Sequence, residues 1–146
     1  MHVQRYMGVD YGERRIGLAL ADDDARMAVP HLVFTVGDDI EEDMQHLALL
    51  IRTEADLIVV GLPLTLEGKE GPMATKVRAF AEDLSFKTDL PVHFQDERMT
   101  TRTNVGLLQG MPTEERKKLA DALAAAGILQ TWLDKFKPWL NRPPEP

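Results

Sequence analysis

YMGVDYGERRIGLALA, at residues 6–21, is the stretch that decides the fold. Residues 6–10 form a short apolar run that ends at Asp10, residues 11–14 are turn-like, and residues 16–21 resume an apolar run. Two such runs joined by a short turn predict a β-hairpin. Asp10 is therefore expected at a strand end, beside glycines that allow a ligand to approach the backbone closely.

The rest of the chain alternates between strand-like and helix-like patterns. The predicted elements are a strand at 31–36, a helix at 38–54, a strand at 57–62, a helix at 72–86, a strand at 91–95, a short helix at 101–109 and a final helix from 113 to 136 or 137. Thr113 is expected to cap the final helix. A leading hairpin followed by alternating strands and helices predicts an α/β fold, with a mixed sheet covered by helices on both faces.

The 146 residues, of which 44% are hydrophobic and 28% charged, predict a single globular domain, which we assign to residues 1–138. Residues 139–146 are rich in proline and are expected to form a disordered tail. The absence of cysteine excludes disulfides, thiolate metal sites and a cysteine nucleophile. The chain also lacks a signal-peptide pattern and any apolar run near the roughly 20 residues that span a bilayer, so we expect a cytoplasmic protein without membrane association.

A net charge of −7 argues at first against a nucleic-acid partner. The acidic residues are clustered, however, and eight of the 24 lie at residues 22–24 and 38–43. The basic residues gather elsewhere, at Arg14 and Arg15, at Arg98 and Arg102, and at Arg116, Lys117 and Lys118. Net charge therefore leaves room for a local phosphate-binding surface.

Two strand ends offer candidate functional carboxylates. Asp10 is one, although an aspartate in a turn often only bonds its own backbone. The second strand end carries Asp96, Glu97 and Arg98, and strand alternation sends the two acids to opposite faces, so we expect at most one of them to face Asp10. The alternative for this second group is a solvated charge cluster.

The third candidate is Asp121, in the final helix. Apolar residues lie on both sides of this helix, which is typical of a buried helix, and alanines next to Asp121 would let it sit close to the sheet. A buried carboxylate costs several kcal/mol unless a cation or metal pairs with it. The alternative is that Asp121 only pairs with Lys117 or Lys118, one turn earlier.

Three carboxylates from two strand ends and a helix are a donor set for Mg²⁺ or Mn²⁺, which take oxygen ligands. Two such ions would serve phosphodiester hydrolysis, one by activating the attacking water and the other by stabilising the leaving oxygen. The residues themselves thus indicate a metal-dependent nuclease centred on Asp10, Asp121 and one carboxylate of the pair Asp96 and Glu97.

Five blocks of the sequence together resemble the bacterial YqgF/RuvX family. They are GVDYG with RRIGLA at 8–12 and 14–19, VVGLPL at 59–64, GKEGP at 68–72, DERMTT at 96–101 and KKLADALAA at 117–125. The resemblance implies a ribonuclease H-like fold, a mixed five-stranded sheet whose first three strands are antiparallel and whose others are parallel. Members are described as nucleases that mature the 5′ end of precursor 16S ribosomal RNA, and also as Holliday junction resolvases.

Carried over by position, the resemblance assigns the acids of the family to Asp10, Glu97 and Asp121, and its basic pair to Arg14 and Arg15. In the related resolvases the second acid ends the fourth strand, where this chain has Gly61, so here the fifth strand must supply it. The residues expected to contact nucleic acid are Arg14, Arg15, Arg98, Thr100, Thr101, Arg102, Lys117 and Lys118.

The leading hypothesis is a metal-dependent endonuclease acting on structured or single-stranded RNA, with ribosomal precursor as the substrate. The first alternative is a resolvase of branched DNA, which would need a homodimer to present two active sites to two strands. A second alternative is a non-catalytic nucleic-acid-binding or ribosome-associated factor. A phosphotransferase of the actin-like superfamily would need two domains around the nucleotide, and 146 residues supply one.

Overall fold

The computed structural model describes residues 2–25, 27–99 and 110–137. Its strands and helices are β1 (Arg5–Asp10), β2 (Arg15–Asp22), β3 (Val29–Thr35), α1 (Ile40–Glu54), β4 (Leu57–Leu62), α2 (Pro72–Thr88), β5 (Val92–Asp96) and α3 (Thr113–Phe136), with a short 3₁₀ turn at Glu97–Met99. The predicted helix at 101–109 and the predicted tail at 139–146 lie outside the described residues.

The five strands form one sheet in the order β3-β2-β1-β4-β5. β1 pairs antiparallel with β2, and β2 with β3, whereas β1 pairs parallel with β4, and β4 with β5. The predicted mixed sheet, antiparallel in its first three strands and parallel beyond them, is therefore confirmed. Because β1, β4 and β5 run parallel, their carboxyl ends meet at one edge of the sheet, and Asp10 lies at that edge.

Helices cover both faces of the sheet, as predicted. Alternate side chains of the strands, Met7, Val9, Ile58 and Val60 among them, pack against α1 and α2 in the larger core. On the other face Tyr6 and Val59 pack against α3. The first turns of α3 are exposed, whereas residues 119–133 are buried or half-buried, so the predicted burial of this helix holds for its later turns only.

Local signals explain where most elements begin. Asp39 caps α1 by accepting a hydrogen bond from the backbone N–H of Glu42, and acidic residues follow in the first turn, where the helix dipole favours them. Pro72 is the first residue of α2. The backbone N–H that proline lacks would have no partner within the helix at this position, so no hydrogen bond is lost. The expectation that Thr113 caps α3 is wrong, because the cap position is Pro112 and Thr113 is already helical.

β3 begins two residues earlier than the sequence predicts. It includes Pro30, which pairs with Ala19 next to a register shift in β2. β3 is an edge strand, where a proline that cannot donate to the ladder is tolerated. Within the described part of the chain, no helix is long and apolar enough to cross a membrane.

Candidate active site

Asp10 is the last residue of β1, at the edge where the parallel strands end. Strand alternation sets its direction: Val9 packs towards α1 and α2, whereas a side chain at Gly8 would run into Ala125 and Leu129 of α3. Asp10 therefore lies on the α3 side of the sheet, half-buried, directly across from Gly17 of β2.

Glu97 reaches Asp10 from the 3₁₀ turn that follows β5. Its side chain lies over Gly61 of β4, where a Cβ atom would come within 2.6 Å of Glu97 Oε1. Because Gly61 has no side chain, it leaves the space that the Glu97 carboxylate occupies. The sequence left Asp96 and Glu97 as rivals for the place beside Asp10, and the structure brings Glu97 there.

The two carboxyl groups of Asp10 and Glu97 share a hydrogen bond, which requires that one of them hold a proton. Burial raises the pKa of Asp10 to about 7, and the negative charges of Glu97 and Asp121 and the bond to Glu97 add to the effect. Burial also raises the pKa of Glu97, partly offset by the bond from Asp10. When both carboxyl groups are ionised they repel each other. A proton on one of them, or a cation bound between them, removes this repulsion.

Asp121 approaches the same edge from α3. Gly17 permits this, because a Cβ atom there would collide with the backbone carbonyl of Asp121. The Asp121 carboxylate accepts a hydrogen bond of 2.6 Å from Nε of Arg15 on β2. The partner of Asp121 is therefore Arg15, not Lys117 or Lys118, and its charge still reaches Asp10.

Asp96 and Arg98 form a brace beside the site. The backbone N–H and the guanidinium of Arg98 both donate to the Asp96 carboxylate, at 2.9 and 2.8 Å. Nη1 of Arg98 also donates to the carbonyl of Leu66, in the loop between β4 and α2. Arg98 lowers the pKa of Asp96. This brace connects the end of β5 to that loop and uses the Arg98 donors that the sequence assigned to phosphate.

The remaining predicted nucleic-acid contacts divide into two groups. Arg14 is exposed in the β1–β2 turn, and together with Arg15, Met73 and Asp121 it lines a depression of about 480 Å³. Lys117 and Lys118 are exposed on α3, about one turn before Asp121. Thr100, Thr101 and Arg102 lie outside the described residues.

The donor chemistry of this edge fits Mg²⁺ or Mn²⁺, since Asp10, Glu97 and Asp121 offer only hard carboxylate oxygens and repel one another without a cation. Over residues 2–25, 27–99 and 110–137, however, no three His, Cys, Asp or Glu side chains stand together as a group that could hold a metal ion. In this metal-free arrangement the Asp121 carboxylate is bonded to Arg15.

A family model described as RuvX, Holliday junction resolvase, matches residues 4–135. The chain belongs to the RuvX family. A relative from Anaeromyxobacter sp. (strain Fw109-5), named as a candidate pre-16S rRNA nuclease, is 46% identical over 133 residues, which cover 89% of this chain and 96% of that protein. The RuvX family and this relative agree with the class predicted from the sequence, a nuclease.

Solved structures confirm the ribonuclease H-like fold of this RuvX family member. T. thermophilus RuvC, in complex with a Holliday junction substrate, superposes with a TM-score of 0.53 at 16% identity, over 90% of this chain and 94% of that one. The fowlpox virus Holliday junction resolvase gives a TM-score of 0.55 at 12% identity, over 90% and 99%. At such identities the likeness concerns the fold alone.

Sequence reasoning missed two features of the site. One is the bond between Arg15 and Asp121, which spans 106 positions and leaves no local signal. The other is the role of Gly17 and Gly61 as places of close approach. A glycine inside a strand often marks such an approach, so the glycines within the apolar runs at 16–21 and 57–62 could have indicated it.

Proposed function

We propose that this RuvX family member is a divalent-metal-dependent nuclease that hydrolyses phosphodiester bonds in nucleic acid. The observation that carries the proposal is the pair of hydrogen-bonded carboxyl groups, Asp10 and Glu97, within reach of the charge of Asp121. Burial and mutual repulsion make it unfavourable for both carboxyl groups of this pair to be ionised at once. A bound divalent cation would neutralise the two charges, so this environment favours its binding.

In this proposal Asp10, Glu97 and Asp121 hold the Mg²⁺ or Mn²⁺ ions. Such ions, when bound, supply Lewis-acid activation of water and of a phosphate oxygen. The chain itself supplies the placement of these groups: Gly61 makes room for Glu97, and the close approach of α3 at Gly17 brings Asp121 to the sheet edge. Arg14 is exposed next to this edge, where its guanidinium can bind the phosphate that precedes or follows the scissile bond.

The proposed substrate is the 5′ region of precursor 16S ribosomal RNA, processed during ribosome biogenesis in the cytoplasm. The name of the Anaeromyxobacter relative supports this choice. The exposed cations near the site, Arg14, Lys117 and Lys118, supply phosphate contacts without a sequence code. They suit a substrate that is recognised through its backbone and its shape.

The test is a cleavage assay on a precursor 16S 5′-region RNA, with Mg²⁺, with Mn²⁺ and with EDTA. The wild-type protein should cut the RNA only when a divalent cation is present. Asp10→Asn, Glu97→Gln and Asp121→Asn should each reduce the cleavage rate by about 10²-fold or more, as loss of a residue that acts in the transition state does. Binding of the uncut RNA should persist in these variants.

Two exposed acids provide matched controls. Asp24→Asn changes a carboxylate in the turn after β2, and Glu82→Gln changes one on the outer side of α2; both should cleave at the wild-type rate. Normal cleavage by Asp10→Asn would contradict the three-carboxylate site. RNA binding without cleavage under every metal condition would instead support a non-catalytic nucleic-acid or ribosome-associated factor.

Resolution of Holliday junctions is the second candidate function, and the description of the matching family model favours it. It would require a homodimer, because two strands of a four-way junction must be cut symmetrically. A synthetic four-way DNA junction in the same assay and the molar mass in solution test it together. A monomer that cuts the RNA and leaves the junction intact would contradict this second function.

A further inference from the structure

A second concave feature lies on the other face of the sheet, between α1 and α2. It is a cavity of about 570 Å³, with Ile16, Phe34 and Leu47 among its apolar walls. One side is formed by Tyr11 and Phe80, whose ring centroids are 4.6 Å apart. The cavity therefore presents a preformed aromatic wall, which suits a flat apolar ligand.

This cavity adjoins the candidate active site through the backbone of β1. Tyr11 follows Asp10 directly, so their Cα atoms are about 3.8 Å apart. Asp10 lies on the α3 side of the strand end, whereas Tyr11 packs with the core on the α1 and α2 side. A ligand at the edge of the sheet can thus reach both features.

Glu13 links the cavity to the depression that is lined by Arg14, Arg15 and Asp121. It lines both concave features, and its carboxylate pairs with Lys76 of α2 at 2.5 Å, on the rim between them. The depression that contains Arg14 and Arg15 thus shares a wall with the aromatic cavity. A nucleotide combines the two matching groups, an anionic phosphate and a flat ring, within one small unit.

We propose that this cavity binds one unstacked base of the nucleic-acid substrate, the base of a nucleotide whose phosphate contacts Arg14 and Arg15. The inference deepens the proposed function and rests on it. Stacking of a base on an aromatic side chain is worth about tenfold or more in affinity, and a pocket of this kind holds the neighbouring scissile bond in one register.

The charged groups of the cavity indicate which bases it accepts. Three are carboxylates, Glu13, Asp43 and Asp83, and one is the ammonium of Lys76, which pairs with Glu13. Asp43 accepts a bond from the N–H of Gly37 and Asp83 one from Nζ of Lys87, and each carboxylate has further acceptor capacity because it can accept several bonds. Acceptors at the rim favour bases with an exocyclic amino group, so adenine, cytosine and guanine should bind better than uracil.

The test measures binding of AMP, CMP, GMP, UMP and ribose 5-phosphate to the full chain in EDTA, by NMR shifts of the Tyr11 and Phe34 amides. Ribose 5-phosphate carries the phosphate without a base. We expect the three amino-bearing nucleotides to bind about tenfold more tightly than ribose 5-phosphate, with UMP between them. Shifts should centre on residues of the cavity.

Ala79→Trp is the decisive variant, since Ala79 lies on the exposed side of α2 and lines the cavity, so that an indole there fills the space. It should remove the gain due to the base and leave the affinity for ribose 5-phosphate unchanged. His46→Trp adds an exposed indole on α1 away from the cavity and should change neither value. A thermal melt verifies that both variants are folded.

The inference is overturned if all five compounds bind alike, or if the gain due to the base survives in Ala79→Trp. It is also overturned if N-acetyl-leucine amide shifts the same amides while the nucleotides do not, because the cavity would then receive a protein side chain. RNA cleavage by the wild type together with equal nucleotide binding would refute only this inference. A gain due to the base without any cleavage would refute only the proposed nuclease function.

Discussion

Arg15 of β2 and Asp121 of α3 are joined by a hydrogen bond of 2.6 Å between Nε and Oδ2, with 28% and 27% of their side chains exposed. A pair this exposed contributes about 1 kcal/mol or less to stability. Its larger effect concerns the candidate metal site, because Arg15 competes with a cation for the same carboxylate.

Removal of Arg15 should therefore strengthen metal binding. Arg15→Gln releases Asp121, and we expect the Kd for Mn²⁺ measured by calorimetry to fall several-fold, while RNA binding weakens because a phosphate contact is lost. Arg14→Gln removes a neighbouring exposed cation and should leave the Mn²⁺ affinity nearly unchanged. An unaltered Mn²⁺ affinity in Arg15→Gln would mean that Asp121 does not join the metal site.

The raised pKa of Asp10 predicts how the stability of the metal-free protein depends on pH. The pKa rises from 3.8 to about 7 on folding, so between these values the folded protein keeps a proton that the unfolded chain has released. Stability should fall as pH rises through this window, by up to about 4 kcal/mol at about 1.4 kcal/mol per pKa unit. Urea unfolding in EDTA from pH 4 to pH 8 measures it.

Asp10→Asn should remove most of that dependence. The variant should match the wild type near pH 4 and exceed its stability at pH 8, and Mg²⁺ should stabilise the wild type much more than the variant. Asp24→Asn, with its exposed carboxylate, should follow the wild-type curve. Parallel curves for wild type and Asp10→Asn would contradict the buried, proton-sharing pair.

Gly61→Ala should impair activity more than stability. The added Cβ would meet Oε1 of Glu97 at 2.6 Å and Cδ1 of Ile128 at 2.5 Å, which are the ends of side chains that can move. We expect a loss of about 1 kcal/mol in unfolding free energy and a large loss in cleavage rate, since Glu97 leaves its place beside Asp10. Urea unfolding and the RNA assay measured on one preparation separate the two effects.

Gly17→Ala should reduce stability more than Gly61→Ala does. Its added Cβ would collide with the backbone carbonyl of Asp121, which cannot move without the whole of α3. The expected loss in unfolding free energy is about 3 kcal/mol, at the upper end for overpacking. Thermal unfolding checks this, and a Gly17→Ala protein as stable as Gly61→Ala would show that α3 is not held as close to β2 as described.

The salt dependence of RNA binding should distinguish Arg14 from Arg98. Each phosphate contact to a single strand contributes about 0.7 to the slope of log K against log salt concentration. Arg14→Gln should lower the slope by about that amount, because Arg14 is exposed at the site. Arg98→Gln should leave it unchanged, because Asp96 and the Leu66 carbonyl already engage its guanidinium. Fluorescence anisotropy from low to moderate salt measures both slopes.

Much of the fold could be predicted from periodicity alone. The hairpin at residues 6–21, the apolar run at 57–62 and the helices between the strands carry patterns that repeat within a few residues. Predictions that depended on one terminal residue were weaker. Thr113 has the chemistry of a cap, but the extended backbone of Pro112 takes that position, and β3 begins before Pro30 because an edge strand tolerates it.

The site was only partly predictable, because its geometry depends on contacts between distant segments. Alternation could not choose between Asp96 and Glu97, since β5 ends at Asp96 and the 3₁₀ turn after it no longer follows the strand period. For Asp121, helical spacing could indicate only partners on the same helix, Lys117 and Lys118. Arg15 could be found only when α3 was placed on the sheet.

The position of α3 also sets the order in which the protein can become active. The five described strands all precede α3, which covers the second face of the sheet and carries Asp121. On the ribosome, a nascent chain that has exposed only the five strands still lacks this carboxylate and leaves Tyr6 and Val59 in water. On the proposed function, the three-carboxylate site can therefore form only after α3 has been synthesised and has packed on the sheet.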